Sequence, residues 1–420
     1  MPGRGEDSRR SAIRQMVREQ LKLLLADGNF NGAKSLLQPV QSVDVAEAID
    51  GLPQPMQLGA FRLLGKQAAI EVYEYLPRLT QQALIEQFRD LEILNVVDGM
   101  SPDDRARLFD ELPPRLARKA IAGLSTEERQ RTALLLGYGP ETAGRLMTPE
   151  YLALPDSLTV EQMASRIRAY AAESEVSYYV YLLDGRRRLS GVVSLRTLLL
   201  AEPEALIADV MDRDVVFANT DTDREEVAKL IQRYDLIALP VTDGDRALVG
   251  VVTVDDAIDV LQAETTEDIY TMGAVQSEGE SYFQATLSAV ARKRLPWLFV
   301  LLFTNVLTIW VMQNFEDVLD EVVALAFFTP LLIDAGGNVG AQSSTVVIRG
   351  LSTNELAHRN PLVVVARECI AGSVLGLLLG LAVIVLVMLF IGQLEIGLTV
   401  GISLLCIASI AATTGAGLPF

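Results

Sequence analysis

The chain has 420 residues, of which 50% are hydrophobic and 21% are charged, and its formal net charge at pH 7 is −18. So acidic a chain is not expected to bind nucleic acid, which attracts basic surfaces, whereas its charge suits a protein that handles cations. Its two cysteines, Cys369 and Cys406, lie in the apolar last third, so no disulfide framework is predicted.

The first 145 residues predict a short tail followed by a helical domain. Residues 1–20 contain several arginines but lack the apolar segment of a signal peptide, so we interpret them as a tail and expect the soluble part to stay in the cytosol. Turn-like pairs such as Leu52-Pro53 and Leu76-Pro77 then recur about every 12 residues, which predicts an α-helical superhelix over residues 21–145. Ser101, Pro102 and the two acids that follow are typical of a helix start.

A sequence repeat predicts two α/β domains after the helices. The stretch Leu189-Ser-Gly191-Val-Val-Ser194 matches Leu248-Val-Gly250-Val-Val-Thr253, and Asp184-Gly185 and Asp243-Gly244 indicate a hairpin turn in each copy. Each copy is expected to run helix, strand, turn, strand, helix, which resembles a tandem pair of CBS domains. The two copies would occupy residues 146–208 and 209–262.

An acidic segment connects this pair to the apolar part of the chain. No Lys or Arg lies between Arg246 and Arg292, and residues 263–293 are predicted as an acidic connecting helix. Like charges about 4 Å apart repel by roughly 4 kcal/mol at an effective dielectric of about 20, and a gate needs about 5.5 kcal/mol to switch fully, so bound cations would supply the switching energy. A solvated helix face is the alternative. The eight acids are Asp255, Asp256, Asp259, Glu264, Glu267, Asp268, Glu278 and Glu280.

Residues 294–420 predict a helical membrane domain with four spans, because each of four apolar stretches is long enough to cross a bilayer, which takes roughly 20 residues. Basic residues precede the first stretch and separate the second from the third, which places the N-terminal domains, and residue 420, on the cytoplasmic side. The stretches run from Leu295 to Met312, Val322 to Ile348, Ile370 to Ile391 and Ile396 to Leu418.

The second stretch is the candidate ion pathway. Pro330 and the glycines weaken a helix, and irregular backbone at membrane depth persists only where it is buried in protein or lines a water-filled cavity. Freed carbonyls together with the amides of Asn338 and Gln342 would form an oxygen-lined wall for a hard cation such as Mg²⁺. Close helix packing through small residues is the alternative, against which the acid Asp334 argues. The candidate pore residues are Asp334, Gly336, Gly337, Asn338, Gly340 and Gln342.

Three groups of residues resemble the MgtE family of magnesium transporters. They are the Gly336-Gly337-Asn338-x-Gly340-x-Gln342 core with its Arg349-Gly350 end, the run from Leu146 to Tyr151, and the run from Val252 to Asp268. The resemblance covers almost the whole chain. It implies a homodimer in the cell membrane with a central Mg²⁺ pore, which cytosolic Mg²⁺ shuts when the ion is plentiful, and it implies no enzymatic activity.

The resemblance also assigns residues to ligands. Arg107 stands where a relative has an acid, and Tyr179 and Arg196 match an ATP pocket in which Thr197 replaces the Asp expected to hold the ribose, so ATP binding stays open. Family members have five spans, the fifth with a pore acid; this chain, with four, is expected to be truncated and not to form a selective pore alone. The implied Mg²⁺-sensing acids are Asp103, Glu225, Asp235, Asp255, Asp256, Asp259, Glu264, Glu267 and Asp268.

Four other functions are weighed against this one. The first alternative is a transporter of the same build that carries Co²⁺, Mn²⁺ or Zn²⁺. Soft metals favour Cys or His ligands, however, and the only histidine in the sequence, His358, lies in a predicted surface loop. A truncated regulatory fragment would not transport. A CBS-bearing anion channel should have basic residues inside a span, and none lies inside the four predicted spans. An enzyme should show a catalytic set or a phosphate-binding loop, which the sequence lacks.

Overall fold

The computed structural model describes residues 4–170, 176–273, 275, 287–316, 322–353, 355–356 and 359–420. The chain divides into two compact units, Met1–Gln262 and Ala263–Phe420. The first contains the helical domain and the two α/β domains, and the second contains the apolar helices.

The helical domain consists of one long helix and nine short ones. The short helices have 8 to 11 residues, which confirms the repeat of short helices read from the turn spacing. Their facing sides bury apolar residues such as Ile49, Tyr73 and Leu84, each 0% exposed. The helices are α1 Arg4–Ala26, α2 Phe30–Leu37, α3 Ser42–Asp50, α4 Gln54–Phe61, α5 Lys66–Glu74, α6 Arg78–Gln87, α7 Asp90–Val97, α8 Pro102–Glu111, α9 Pro114–Gly123 and α10 Thr126–Leu136.

The predicted N-terminal tail is instead helical. Helix α1 begins at Arg4, and its Val17 and Leu21 are 3% and 0% exposed. These two residues, with Leu24 and Leu25, recur at the spacing of one helix face, and that face packs on α2 and α3. A tail was expected here because Arg14, Arg18 and Lys22 alternate with the apolar positions and obscure the stripe.

Each α/β domain contains the predicted helix, strand, turn, strand and helix, preceded by a short helix and a strand that the prediction lacked. This extra strand pairs in parallel with the first strand of the antiparallel hairpin, which gives three-stranded sheets of order β1-β2-β3 and β4-β5-β6. The elements are α11 Ala143–Leu146, β1 Tyr151–Pro155, α12 Val160–Tyr170, β2 Val176–Leu183, β3 Leu189–Ser194, α13 Leu195–Leu200, α14 Ile207–Val210, β4 Ala218–Asn219, α15 Arg224–Arg233, β5 Ala238–Thr242, β6 Leu248–Thr253 and α16 Val254–Met272.

The helical domain and the second α/β domain share one hydrophobic core. Ala106 of α8 and Leu135 of α10, both 0% exposed, belong to the same cluster as Val227, Leu239 and Val252. This common core fixes the first turn of α8 beside the first turn of α16.

Within its described residues, the second unit has four helices long and apolar enough to cross a membrane, as predicted. The third begins at Pro361 rather than Ile370, because the apolar pattern continues through the basic turn. The described helices are α17 Leu287–Gln313, α18 Val323–Ala326, α19 Thr329–Ser352, α20 Pro361–Phe390 and α21 Leu394–Gly417.

The acidic connecting helix differs from the prediction at both ends. Its described part is continuous with the last helix of the second α/β domain, since α16 runs without a break from Val254 to Met272. At the other end, residues 287–293 belong to α17, the helix of the first span. Glu278 and Glu280 lie outside the described residues, as does His358.

Candidate functional site

An acidic cluster lies where the first turn of α8 meets the first turn of α16. Asp103 of α8 is 9% exposed, and its Oδ1 atom has no hydrogen-bond partner. Asp256 of α16 is partly buried and accepts a hydrogen bond of 2.9 Å from the Thr253 hydroxyl. An acid is seldom buried without a partner, so this pair calls for a positive ligand.

Burial and mutual repulsion disfavour the charged forms of these acids. The pKa of Asp103 is raised to about 6, mainly by burial and secondly by the charge of Asp104. Burial, followed by the charges of Asp103 and Asp104, raises the pKa of Asp256 well above its usual value. Although Asp103 and Asp256 lie far apart in the sequence, their carboxylates repel each other, and a cation between them would relieve that repulsion.

Arg107 is the basic side chain of the cluster. Its guanidinium pairs with Asp104 on the same helix and, at 3.3 Å, with Asp259 of α16. It lowers the pKa of Asp103 and Asp256, but these effects are smaller than those of burial and of the neighbouring acids. The cluster therefore already contains one cationic group, which is not enough to balance its carboxylates.

A buried arginine holds the start of α8 in place. The Arg105 side chain is fully buried and pairs with Glu128 of α10. It also donates to the Thr132 hydroxyl at 2.8 Å and to the carbonyls of Val97 and Asp98 at 3.2 and 3.1 Å. These bonds anchor the start of α8, and with it Asp103, to α10 and to the end of α7.

Two of the predicted sensing acids, Glu225 and Asp235, belong to α15 and the residues after it rather than to α8 or α16. Glu225 forms an ion pair of 2.7 Å with Lys229 one turn along α15. Asp235 follows that helix in a left-handed conformation, with φ of 52°. Of the others, Asp255 is exposed on α16, and Glu264, Glu267 and Asp268 lie farther along the same helix.

Within the described part of the chain, no three Asp, Glu, His or Cys side chains converge closely enough to hold a metal ion directly. Mg²⁺ usually retains several of its waters and takes only one or two carboxylates from a protein. The pair formed by Asp103 and Asp256 fits a hydrated Mg²⁺ of this kind.

Sequence reasoning missed two members of the cluster, Glu74 and Asp104. Glu74 ends α5, and its Oε1 accepts from the backbone amide of Ser101 at 3.4 Å. Burial, then the charges of Asp104 and Asp103, raises the pKa of Glu74 to about 7. No motif marks Glu74 in the sequence; only the packing of α5 on the loop before α8 brings it to this place.

The predicted nucleotide residues lie on the first α/β domain. Tyr179 is on β2, where it pairs with Ser194 of β3, and Arg196 is exposed on the first turn of α13. The Thr197 hydroxyl lies 2.9 Å from the Ser194 hydroxyl.

A polar stripe runs along α19. Asp334, Asn338 and Gln342 recur every fourth residue, and all three are exposed on one face of the helix. The Asn338 Nδ2 atom donates to the Asp334 carbonyl at 3.0 Å, which leaves the amide oxygen available as a ligand.

The backbone of α19 is not broken at its glycines, and the prediction of freed carbonyls there is wrong. The helix is continuous from Thr329 to Ser352. Gly340 packs on α21, where a Cβ added to Gly415 would lie 2.3 Å from the Gly340 carbonyl oxygen, while a Cβ at Gly336 would lie 2.8 Å from Ile407. These glycines allow close helix packing, which offsets their low helix propensity. A Cβ at Gly337 would meet no atom within 4 Å.

Comparison with known proteins agrees with this architecture. The sequence pattern described as the MgtE intracellular N domain matches residues 40–141, the CBS domain matches residues 143–204 and 207–263, and the pattern described as a divalent cation transporter matches residues 329–420. The chain is 36% identical over 403 residues to the magnesium transporter MgtE of Thermus thermophilus, covering 95% of this chain and 89% of that protein. It is 32% identical over 397 residues to the MgtE of Bacillus subtilis, covering 94% and 88%.

Two solved structures resemble the first unit. One is the cytosolic domain of the Mg²⁺ channel MgtE in complex with ATP, with a TM-score of 0.56, 33% identity and coverage of 58% of this chain and 99% of that one. The other is the soluble part of a magnesium transporter, with a TM-score of 0.55, 28% identity and coverage of 60% and 99%.

These matches and the four apolar helices define a multi-pass membrane protein of the divalent-cation transporter class, with a helical domain and a CBS pair in the cytosol. The matched relatives are named as magnesium transporters, which is a non-enzyme class, in agreement with the prediction. The chain belongs to the MgtE family of magnesium transporters.

Proposed function

We propose that this protein carries Mg²⁺ across the membrane and that cytosolic Mg²⁺, bound at the acidic cluster, closes the pathway when the ion is plentiful. The observation that carries the proposal is the buried Asp103 carboxylate, whose Oδ1 atom lacks a partner and which repels Asp256. Without a cation this repulsion loosens the contact between α8 and α16. When a cation is bound, α8 and α16 come together and the contact closes.

The polar stripe of α19 supports the transport half of the proposal. Its oxygen-bearing side chains suit a hard cation such as Mg²⁺, whereas soft metals favour sulfur and imidazole ligands. Polar side chains at membrane depth are costly unless they are hydrated or bonded, which favours a water-filled pathway beside Asp334, Asn338 and Gln342. The proposal includes a homodimer around that pathway, as the family implies.

ATP at the CBS pair is a further part of the proposal. The relative with 33% identity was solved with ATP, and Tyr179 and Arg196 are available on β2 and α13. Replacing Arg196 by Ala should weaken binding of a fluorescent ATP analogue to the purified protein. Unchanged binding would remove Arg196 from the site.

The gating proposal is tested by flux into proteoliposomes at low and at millimolar Mg²⁺ on the cytosolic face. The Asp103→Asn/Asp256→Asn double variant should have low flux at both Mg²⁺ concentrations, because neutral amides do not repel each other and α8 and α16 come together without a cation. A matched control is Asp209→Asn/Asp221→Asn, which removes two exposed carboxylates from the same unit. If the first variant closes at the same Mg²⁺ concentration as the control, sensing does not occur at this cluster.

A further inference from the structure

A basic cluster lies at the start of α17, immediately before the first apolar span. Arg292, Lys293 and Arg294 are consecutive, and no Lys or Arg occurs between Arg246 and this triplet. Helix α17 runs without a break from Leu287 to Gln313, so the three basic residues belong to the same continuous helix as the span. In a chain with a net charge of −18, the triplet concentrates positive charge at the edge of the membrane.

Two of these basic side chains share a face of α17 with a tryptophan. Lys293 and Arg294 precede Trp297 by four and three residues, which are the spacings that make side chains neighbours on a helix. Trp297 is 46% exposed, and Arg294 is exposed as well. Tryptophan is typical of the boundary between membrane and water, because its ring is apolar and its N–H group is polar. The face therefore combines positive charge with a side chain suited to the depth of lipid headgroups.

The composition of α17 and its place in the membrane indicate where the complementary charge lies. The helix contains no Asp or Glu, so ion pairs between residues three or four positions apart cannot form along it. Because the domains that precede α17 are cytosolic, its basic end lies at the cytosolic leaflet. Anionic phospholipids of that leaflet attract Lys and Arg residues placed directly beside a span.

We propose that Lys293, Arg294 and Trp297 form a binding site for the headgroup of an anionic phospholipid, such as phosphatidylglycerol, in the cytosolic leaflet. The two basic groups pair with the lipid phosphate, and the indole ring lies against the glycerol and the first carbons of the acyl chains. The acidic segment before α17 also has the complementary charge, but a peptide in water offers no apolar surface to Trp297. This inference is independent of the magnesium gating proposed above.

Quenching of tryptophan fluorescence by brominated lipids tests the inference. The chain has two tryptophans, Trp297 and Trp310, so a Trp310→Phe background leaves Trp297 as the single reporter beside the site. The full-length protein is reconstituted in mixed vesicles of phosphatidylcholine and phosphatidylglycerol, in which one lipid or the other is brominated. At the same mole fraction, brominated phosphatidylglycerol should quench Trp297 more strongly than brominated phosphatidylcholine. Each basic residue near an anionic surface strengthens the attraction about fivefold, so Lys293→Gln/Arg294→Gln should lower this preference at least about fivefold.

The control is Arg359→Gln/Arg367→Gln, which removes two positive charges from exposed positions on the same side of the membrane and should keep the preference. Quenching by brominated phosphatidylcholine should be alike in all variants, since Trp297 stays in the bilayer.

Three results would overturn the proposal. Equal quenching of the parent by the two lipids would mean that the basic face has another partner, such as the acidic segment. An equal loss of preference in the control would attribute the effect to the overall positive charge of the cytosolic side. If millimolar glycerol phosphate abolished the preference, the face would bind free phosphate rather than a lipid.

Discussion

Asn338 and Asn305 have the same local bonding on different membrane helices. Each donates its Nδ2 hydrogen to the carbonyl four residues earlier, at 3.0 Å for Asn338 and 3.1 Å for Asn305. Asn338 shares a face with Asp334 and Gln342, whereas the side chains that surround Asn305 on α17 are mostly apolar. We therefore expect Asn338 to be an ion ligand and Asn305 only to satisfy its own helix.

Asn338→Ala should lower Mg²⁺ flux about tenfold, since an amide oxygen bonded to a charged partner contributes about 1.5 kcal/mol or more. Asn305→Ala should lower it much less. Uptake of Mg²⁺ by a magnesium-requiring host, at matched expression of the two variants in the full-length protein, measures the difference. Equal uptake in the two variants would show that Asn338 does not face the ion.

Arg107 is a fixed cation within the acidic cluster. The Arg107 and Asp259 side chains are 45% and 64% exposed, so their ion pair contributes at most about 1 kcal/mol. Arg107→Ala should speed hydrogen–deuterium exchange in α8 without Mg²⁺, because the link to α16 is lost. It should also lower the Mg²⁺ midpoint of protection a few-fold, because a positive charge that repels the ion is removed. Arg115→Ala, at an exposed position of α9, is the control, and a higher midpoint in Arg107→Ala than in this control would contradict the prediction.

Residue-level prediction from the sequence succeeded where a short motif carried the signal. The Ser-Pro-Asp-Asp run correctly marked the start of α8, and the lack of Lys and Arg between Arg246 and Arg292 drew attention to the acids on α16. Glu74 was missed because its role comes from the packing of α5, and the orphaned Oδ1 atom of Asp103 is a property of the packed structure alone.

Among the membrane helices, α19, α20 and α21 pack through glycine and alanine. A Cβ added to Gly380 would lie 2.6 Å from the Gly401 carbonyl oxygen, and the Ser373 and Ser409 hydroxyls bond across the same pair of helices at 2.9 Å. Without a strong hydrophobic force between helices in lipid, this close backbone contact and such hydrogen bonds hold them together.

Gly415→Ala tests this packing. Its new methyl group would overlap the Gly340 carbonyl oxygen, so α19 and α21 must separate, and overpacking of this kind costs about 1–3 kcal/mol. Gly417→Ala places the same methyl group in open space on the same helix. The melting temperature in detergent should fall for Gly415→Ala and stay near the parent value for Gly417→Ala. A similar melting temperature for both would argue against tight contact at Gly415.

Predictions about helices failed where one residue type has two structural roles, as glycine does in α19. Gly336 and Gly340 were interpreted as helix breakers, but close contact with α21 offsets their low propensity. The Asp184-Gly185 signal correctly placed a hairpin, yet the left-handed residue of that loop is Arg187, with φ of 63°. Asp184 explains this, because its side chain accepts from the amides of Arg186 and Arg188 and fixes the loop.

Over the whole molecule, the acids of the cluster and of α16 should respond to Mg²⁺ together. Millimolar Mg²⁺ should slow proteolysis around α8 and α16, and its removal should restore cleavage through carboxylate repulsion. A variant with amides at Asp256, Asp259, Glu264 and Glu267 should resist protease equally with and without Mg²⁺. Time courses on gels measure this, and a variant that still responds like the parent would place the sensor elsewhere.

The shared core of the helical domain and the second CBS domain limits how this protein can be recombined. A chimera joined near residue 145 would set Ala106 and Leu135 from one parent against Val227, Leu239 and Val252 from the other. Such a chimera would combine mismatched packing in this core with mismatched charges at the acidic cluster beside it. The natural unit of exchange therefore runs from α1 through the first turns of α16, and substitutions that adjust the Mg²⁺ threshold are expected to arise in matched pairs on α8 and α16.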